Sequence, residues 1–327
     1  MPSFPTSPSA LAPEVRELLA WDERLGSRIR ELPISEQRLV VRDALEELAE
    51  KLGMKMAEVA SVRDYDVPVE GGDIRIRVYT PRTHNQPGAF FHIHGGGFML
   101  GGINWRVNEL KCAHIAATAG CVVTTLDYRL APEHPYPTAT RDCYAALLWV
   151  VEHAAALRID PARIVVGGES AGGNLAAALA LMARDLDGPA LALQLLEVPV
   201  TDMSDTSASH PSRDLYGSGY GLDSAGIDAF TEAYAPIVSD RLLPYVSPFR
   251  TPNPEGVAPA HILTAEFDPL RDSGEAYATR LKKADVPTAL RRFDGHTHGS
   301  SVLWQTWGPA EDWMAHVVEA VRLGTQP

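Results

Sequence analysis

The sequence predicts an α/β protein in which eight strands form one mostly parallel sheet flanked by helices, with a helical cap. Two observations carry that expectation. Short apolar runs rich in β-branched residues alternate with helical stretches over most of the chain, the pattern of strands buried on both faces of a parallel sheet. The strand–helix rhythm then breaks over residues 203–257, which are rich in Ser, Asp, Gly and Pro. A segment that long is more than a connector, so a lid or cap is expected there.

The elements follow in order. Residues 1–13 carry Pro and Ser and are expected to be a loose tail. Val15, Leu18, Leu19, Leu25 and Ile29 recur near helical spacing, predicting a helix over 14–31; Leu39, Val40, Leu45 and Leu48 predict a second over 35–52. Gly53 can take the left-handed conformation that ends such a helix. A strand is expected near 62–69, then a turn at Gly71-Gly72, then a strand whose Ile74, Ile76 and Val78 alternate with Arg75, Arg77 and Tyr79. Buried strands are expected at 89–93, 121–126, 163–167, 190–198 and 260–266. Helices at 105–119, 138–157, 171–186 and 272–285 separate them. A helix near 223–238 lies inside the insertion, and a strand at 288–293 and a helix at 309–323 close the chain. The expected division is a helical cap part at 1–55, a core part at 56–202, a cap insertion at 203–245 and a second core part at 246–327.

Bulk properties narrow the function. Length allows one large domain or two. Hydrophobic residues make up 45% and charged residues 22% of the chain, enough apolar material for a large core. A net charge of −13 argues against a nucleic-acid partner, which needs a concentrated basic surface. Cys112, Cys121 and Cys143 have no Cys-x-x-Cys spacing, which fits a reducing compartment. With no signal-peptide pattern and no apolar run of about 20 residues, a cytoplasmic location without membrane insertion is expected.

Three stretches carry chemistry. Gly168-Glu169-Ser170-Ala171-Gly172 follows the apolar Ile164-Val165-Val166 and precedes an Ala/Leu-rich helix. In that context the serine sits on a sharp strand-to-helix turn, with the helix N-terminus favouring developing negative charge. His94-Gly95-Gly96-Gly97-Phe98 follows the strand-like Ala89–Ile93. Three glycines there are entropically costly and useful for aiming backbone N–H groups at an oxyanion. A serine also needs a base, and the base needs an acid. Asp268 follows the run 261–267, and His298 follows the run 288–293. Both fall where open α/β sheets place their sites. By spacing alone His296 remains a rival to His298.

The chain resembles the bacterial hormone-sensitive-lipase family, also called family IV, of α/β-hydrolase carboxylesterases. HGGGFMLGG (94–102), DYRLAPEHPYPTA (127–139), GGESAGGN (167–174), PVTD (199–202), VSPF (246–249), LTAEFDPLRDSGEAYATRL (263–281) and GHTHG (295–299) carry the resemblance. It implies Ser170 as nucleophile, Asp268 as acid and, through Gly-x-x-His-Gly, His298 rather than His296 as base. It implies an oxyanion hole from the backbone N–H groups of Gly96, Gly97 and Ala171. His94, Asp127, Tyr128, Arg129 and Glu133 are expected to be structural. No cofactor or metal is implied. The expected substrate is a small-molecule ester of short to medium acyl chain, with lactone, amide or natural-product ester hydrolysis and a non-catalytic receptor as alternatives. Relatives form a homodimer through the last strand and helix. Three departures stand out: Glu169 where Asp is commoner, Glu197 where the family has a neutral or aromatic residue, and Ser300 in place of a Phe, which is expected to leave room near the base. Glu197, Trp105, Tyr216, Tyr220 and Leu222, with Phe230 and Tyr234, are candidates for the substrate pocket.

Overall fold

A computed structural model describes residues 11–83, 87–204 and 210–326. Most of the expected tail (1–10) and part of the insertion (205–209) lie outside the described residues. The tail ends earlier than expected, because Leu11 is buried in the core and Pro13 opens the first helix. Proline suits that position, where its missing N–H leaves no bond unmade.

The chain begins with α1 (Pro13–Ile29) and α2 (Ile34–Lys51). The strands are β1 (Ser61–Val69), β2 (Gly72–Thr80), β3 (Ala89–Ile93), β4 (Val122–Leu126), β5 (Ile164–Glu169), β6 (Leu193–Glu197), β7 (Ala260–Phe267) and β8 (Thr288–Thr297). They form one sheet in the order β1-β2-β4-β3-β5-β6-β7-β8. β1 and β2 pair antiparallel, as do β2 and β4; every pairing from β4 to β8 is parallel. β3 and β4 are wholly buried for this reason, including the polar His92, Thr124 and Thr125.

The intervening helices are α3 (Arg106–Ala119), α4 (Thr138–Glu152), α5 (Ala154–Leu157), α6 (Ala171–Asp185), α7 (Ser212–Tyr216), α8 (Ser224–Tyr234), α9 (Arg271–Lys283) and α10 (Gly308–Thr325). One expected helix, 138–157, is divided. The His153 ring bonds the Trp149 carbonyl at 2.8 Å and the chain turns there, a side-chain competition for a helix-end carbonyl. α8 starts where Asp223 accepts the Gly226 N–H at 2.6 Å and ends before Pro236, which disfavours helix at the preceding residue. β8 runs four residues beyond its expected end, with a register irregularity against β7 after Ala265. That extension carries the chain directly to His298.

Two buried clusters fill the faces of the sheet. α6, beneath the sheet centre, is buried from Ala171 to Ala183. Its small residues let it approach closely: a Cβ on Gly172 would come within 2.0 Å of the Ile93 carbonyl oxygen. Among the described residues, no helix is long and apolar enough to cross a membrane.

Candidate active site

The carboxyl ends of β5, β7 and β8 converge at one point. Ser170 follows β5 immediately and opens α6 with φ 56° and ψ −116°, a strained conformation for a residue with a Cβ. The turn is affordable because both flanks are glycine. A Cβ on Gly168 would meet the Ile93 oxygen at 2.2 Å. The Ser170 N–H donates to the Glu197 carbonyl at 2.8 Å, tying the turn to the end of β6.

The three residues that the motifs select are joined by hydrogen bonds. His298 Nε2 lies 2.9 Å from Ser170 Oγ, and His298 Nδ1 lies 2.9 Å from Asp268 Oδ2. Asp268 is fully buried, and its other oxygen accepts the Leu270 N–H at 2.8 Å. Burial opposes charge on the His298 imidazole, yet the Asp268 carboxylate overrides it. With smaller help from Glu169 and Asp22, it holds the imidazole above its ordinary value.

His296 is elsewhere. Its Nδ1 bonds Ser300 Oγ at 2.9 Å, its ring packs on Trp307 and Trp313, and burial lowers its pKa to about 4. Ser300 is fully buried and also donates to the Thr297 carbonyl. It is a brace for the His298 turn rather than extra room in the pocket, where Ser301 is the residue on the wall.

Gly96 and Gly97 have φ of 112° and 61°. Among the described residues their N–H groups donate to no other group. Ala171, the first residue of α6, likewise has no intrahelical partner for its N–H. The loop is braced from below. His94 Nδ1 lies 2.8 Å from the Gly95 oxygen, its ring stacks on Tyr128, and Tyr128 donates to the His94 carbonyl. Arg129 clamps Asp142. Asp127 accepts the Ile103 N–H, and Glu133 pairs with Arg38 at 2.6 Å. Arg38 also donates to the carbonyls of Met99 and Ala131, fastening α2 to the glycine loop.

A cavity of about 530 Å³ opens beside Ser170 and His298. Residues of α1, α2 and α8 contribute to its wall. Trp105, Glu197, Leu222 and Phe230 lie on that wall, as the sequence suggested. Tyr216 and Tyr220 do not. Their rings pack against each other and on Phe267, and the Arg271 guanidinium covers Tyr216. Tyr234 is stacked on Phe98 at 3.9 Å with its hydroxyl 2.9 Å from Thr140 Oγ1. Their helical spacing reflects packing.

The two unusual carboxylates share a partner that sequence reasoning missed. Lys111 Nζ lies 2.7 Å from Glu169 Oε2 and 2.8 Å from Glu197 Oε1, and the Trp313 indole donates to Glu197 Oε2 at 2.7 Å. Burial disfavours the Glu169 charge, but Lys111 reverses that and takes its pKa down to about 2. The same carboxylates hold the Lys111 ammonium above its ordinary value against its burial. A signal existed. Lys111 stands among Leu110, Cys112 and Ala113 on a buried helix, and a lysine there needs acidic partners.

A doubly wound sheet with its serine on a strained strand–helix turn, facing an oriented imidazole, defines the α/β-hydrolase class. The family model described as the alpha/beta hydrolase fold matches residues 90–301. The chain is 44% identical over 232 residues to the carboxylesterase NlhH of Mycobacterium tuberculosis, covering 69% of this chain and 71% of that protein. It is 36% identical to an arylesterase of Saccharolobus solfataricus, covering 79% and 82%. Among solved structures, a hyperthermophilic esterase from the archaeon Pyrobaculum calidifontis superposes with a TM-score of 0.87 at 32% identity, covering 95% of this chain and 98% of that one. The chain therefore belongs to the hormone-sensitive-lipase (family IV) branch of the α/β hydrolases.

Proposed function

We propose that the protein is a serine carboxylesterase acting on short- to medium-chain esters through an acyl-enzyme. The observation that carries this reading is the unbroken hydrogen-bonded series Asp268–His298–Ser170 at the edge of a mostly apolar cavity. In the first step Ser170 Oγ bonds to the ester carbonyl carbon while its proton passes to His298 Nε2. Asp268 keeps the Nδ1–H tautomer in place and stabilises the imidazolium. The N–H groups of Gly96, Gly97 and Ala171, which have no partner among the described residues, take the charge of the tetrahedral oxygen. The carbon–oxygen bond to the alcohol then breaks as His298 returns the proton to the leaving oxygen. Water repeats the sequence on the acyl-enzyme and frees the acid. No metal is invoked; among the described residues no group of His, Cys, Asp and Glu is arranged to hold one.

The test is a panel of aryl esters, lactones and amides on the wild type and Ser170→Ala, with fluorophosphonate labelling of both. The expected result is labelling of the wild type alone and a loss of ester turnover of about 10⁶-fold in the variant. Retention of more than a few per cent of wild-type ester hydrolysis by Ser170→Ala would refute the assignment.

A further inference from the structure

The cavity wall holds four charged side chains besides His298: Asp22, Lys111, Glu169 and Glu197. Three of them neutralise one another in part, since Lys111 bridges Glu169 and Glu197. Asp22, on α1, is different. Among the described residues its carboxyl makes no hydrogen bond or ion pair, and the His298 imidazole lies within electrostatic reach of it. With Asp22 ionised, the wall carries one positive and three negative side chains, and the remaining surface is largely apolar and aromatic. Trp21, Trp105, Trp304 and Phe230 contribute to it. Asp22 is half-buried on this wall, and its unpaired carboxyl stays open to the cavity, where a ligand can reach it.

The position of Asp22 says which half of the substrate it meets. His298 returns its proton to the leaving oxygen, so the alcohol half of the ester lies on the imidazole side of Ser170. The glycine N–H groups take the carbonyl oxygen on the other side. α1, which carries Asp22, packs on residues 300–303, the turn just after His298, and Asp22 lines the same cavity as the imidazole, so its carboxyl lies on the alcohol side. A cationic nitrogen there gains a carboxylate and indole or phenyl faces together, the combination that recognises alkylammonium groups. An anionic alcohol would meet net repulsion from the wall.

We propose that Asp22 is a specificity-determining residue that selects esters whose alcohol carries an ammonium group. This rests on the serine-esterase reading above and goes beyond it by naming the substrate class. Burial raises the Asp22 carboxyl to about 7, with the His298 charge opposing that rise. The group is thus half ionised near neutrality, and an ammonium beside it favours the ionised form.

The test compares butyrylcholine with its uncharged isostere, 3,3-dimethylbutyl butyrate, on the wild type, Asp22→Asn and Asp22→Glu. The readout is the ratio of the two kcat/KM values, so an incompletely folded variant does not distort it. The wild type should favour the cationic ester by about tenfold or more at pH 8, a difference within reach of one desolvated cation site. Asp22→Asn should bring the ratio close to one, mainly through KM for the cationic ester, and Asp22→Glu should restore part of it. The wild-type ratio should also rise from about pH 6 to about pH 8 as Asp22 ionises, while His298, the titrating group that faces it across the cavity, loses its competing charge. The ratio removes the dependence on His298 as base, which both esters share. A wild-type ratio near one, a ratio unaltered in Asp22→Asn, or cleavage of an aryl butyrate but of neither ester overturns the proposal. Failure of the underlying reading looks different: Ser170→Ala would then still hydrolyse the neutral ester.

Discussion

Two sets of buried charge flank Ser170, and they differ in what their protons can do. On one side Asp268 and His298 lie at the ends of β7 and β8. On the other, Lys111, Glu169 and Glu197 with the Trp313 indole lie beneath the ends of β5 and β6. Asp268 and Glu197 are both essentially inaccessible, with 0% and 1% exposure. Burial therefore does not separate the carboxylate proposed to orient the base from a bracing one. The difference lies in the partner. The carboxylate Asp268 holds an imidazole whose second nitrogen faces the serine, so one proton has somewhere to go. Glu197 holds an ammonium and an indole whose bonds are all internal. That set locks the strand ends, and the Glu197 carbonyl in turn holds the Ser170 N–H.

Substitutions on each side should separate rate from stability. The largest effect is expected for Asp268→Asn, which keeps the shape but supports the wrong tautomer. Turnover should fall on the order of 10⁴-fold with the unfolding midpoint little altered, as steady-state kinetics and urea titration would show. Equal losses in both measurements would erase the distinction drawn here. Lys111→Met should do the reverse, because it leaves the buried Glu197 and the half-buried Glu169 without their cation. A loss of about 3–5 kcal/mol in unfolding free energy is expected, with turnover per titrated active site falling far less than in Asp268→Asn. Trp313→Phe removes one donor to a charged acceptor and should cost about 1.5–3 kcal/mol; a neutral outcome would mean that Lys111 alone secures Glu197.

The smallest effect is in the pH profile. The base must be neutral to accept the Ser170 proton, and Asp268 holds the imidazole above its ordinary value. For an uncharged ester, kcat/KM should decline as pH falls through an apparent pKa above about 6.5. Asp268→Asn should move that pKa down. A profile flat to pH 5 would place the working base outside this imidazole.

Much of the fold was legible because its signals are local. The buried runs at 89–93 and 164–166 and the glycines around Ser170 each answer to backbone chemistry within a few residues. The helix split at His153 and the extension of β8 were not legible. The first depends on a ring–carbonyl bond at a helix end, and the second on pairing with β7, which a one-strand pattern does not contain. At the site, the motifs and their order singled out Ser170, Asp268 and the glycine loop as candidates. Spacing left His298 and His296 open and the Gly-x-x-His-Gly resemblance pointed to His298; in the folded chain the turn braced by Ser300 faces His298 toward Ser170 and leaves His296 against the tryptophans.

Residue types and local spacing thus specified the sheet and the strained serine turn, and the family resemblance marked Glu169 and Glu197 as departures. The folded chain decided what those carboxylates do. Lys111 reaches Glu169 across 58 positions and Glu197 across 86, and no periodicity links side chains that far apart. The same holds for Tyr216 and Tyr220, candidates for the pocket whose rings pack on Phe267 instead, and for Asp22, an ordinary polar position on α1 until α1 is laid over the active centre. Backbone geometry is written in short stretches of sequence. The convergence of side chains from distant elements exists only once the elements have packed.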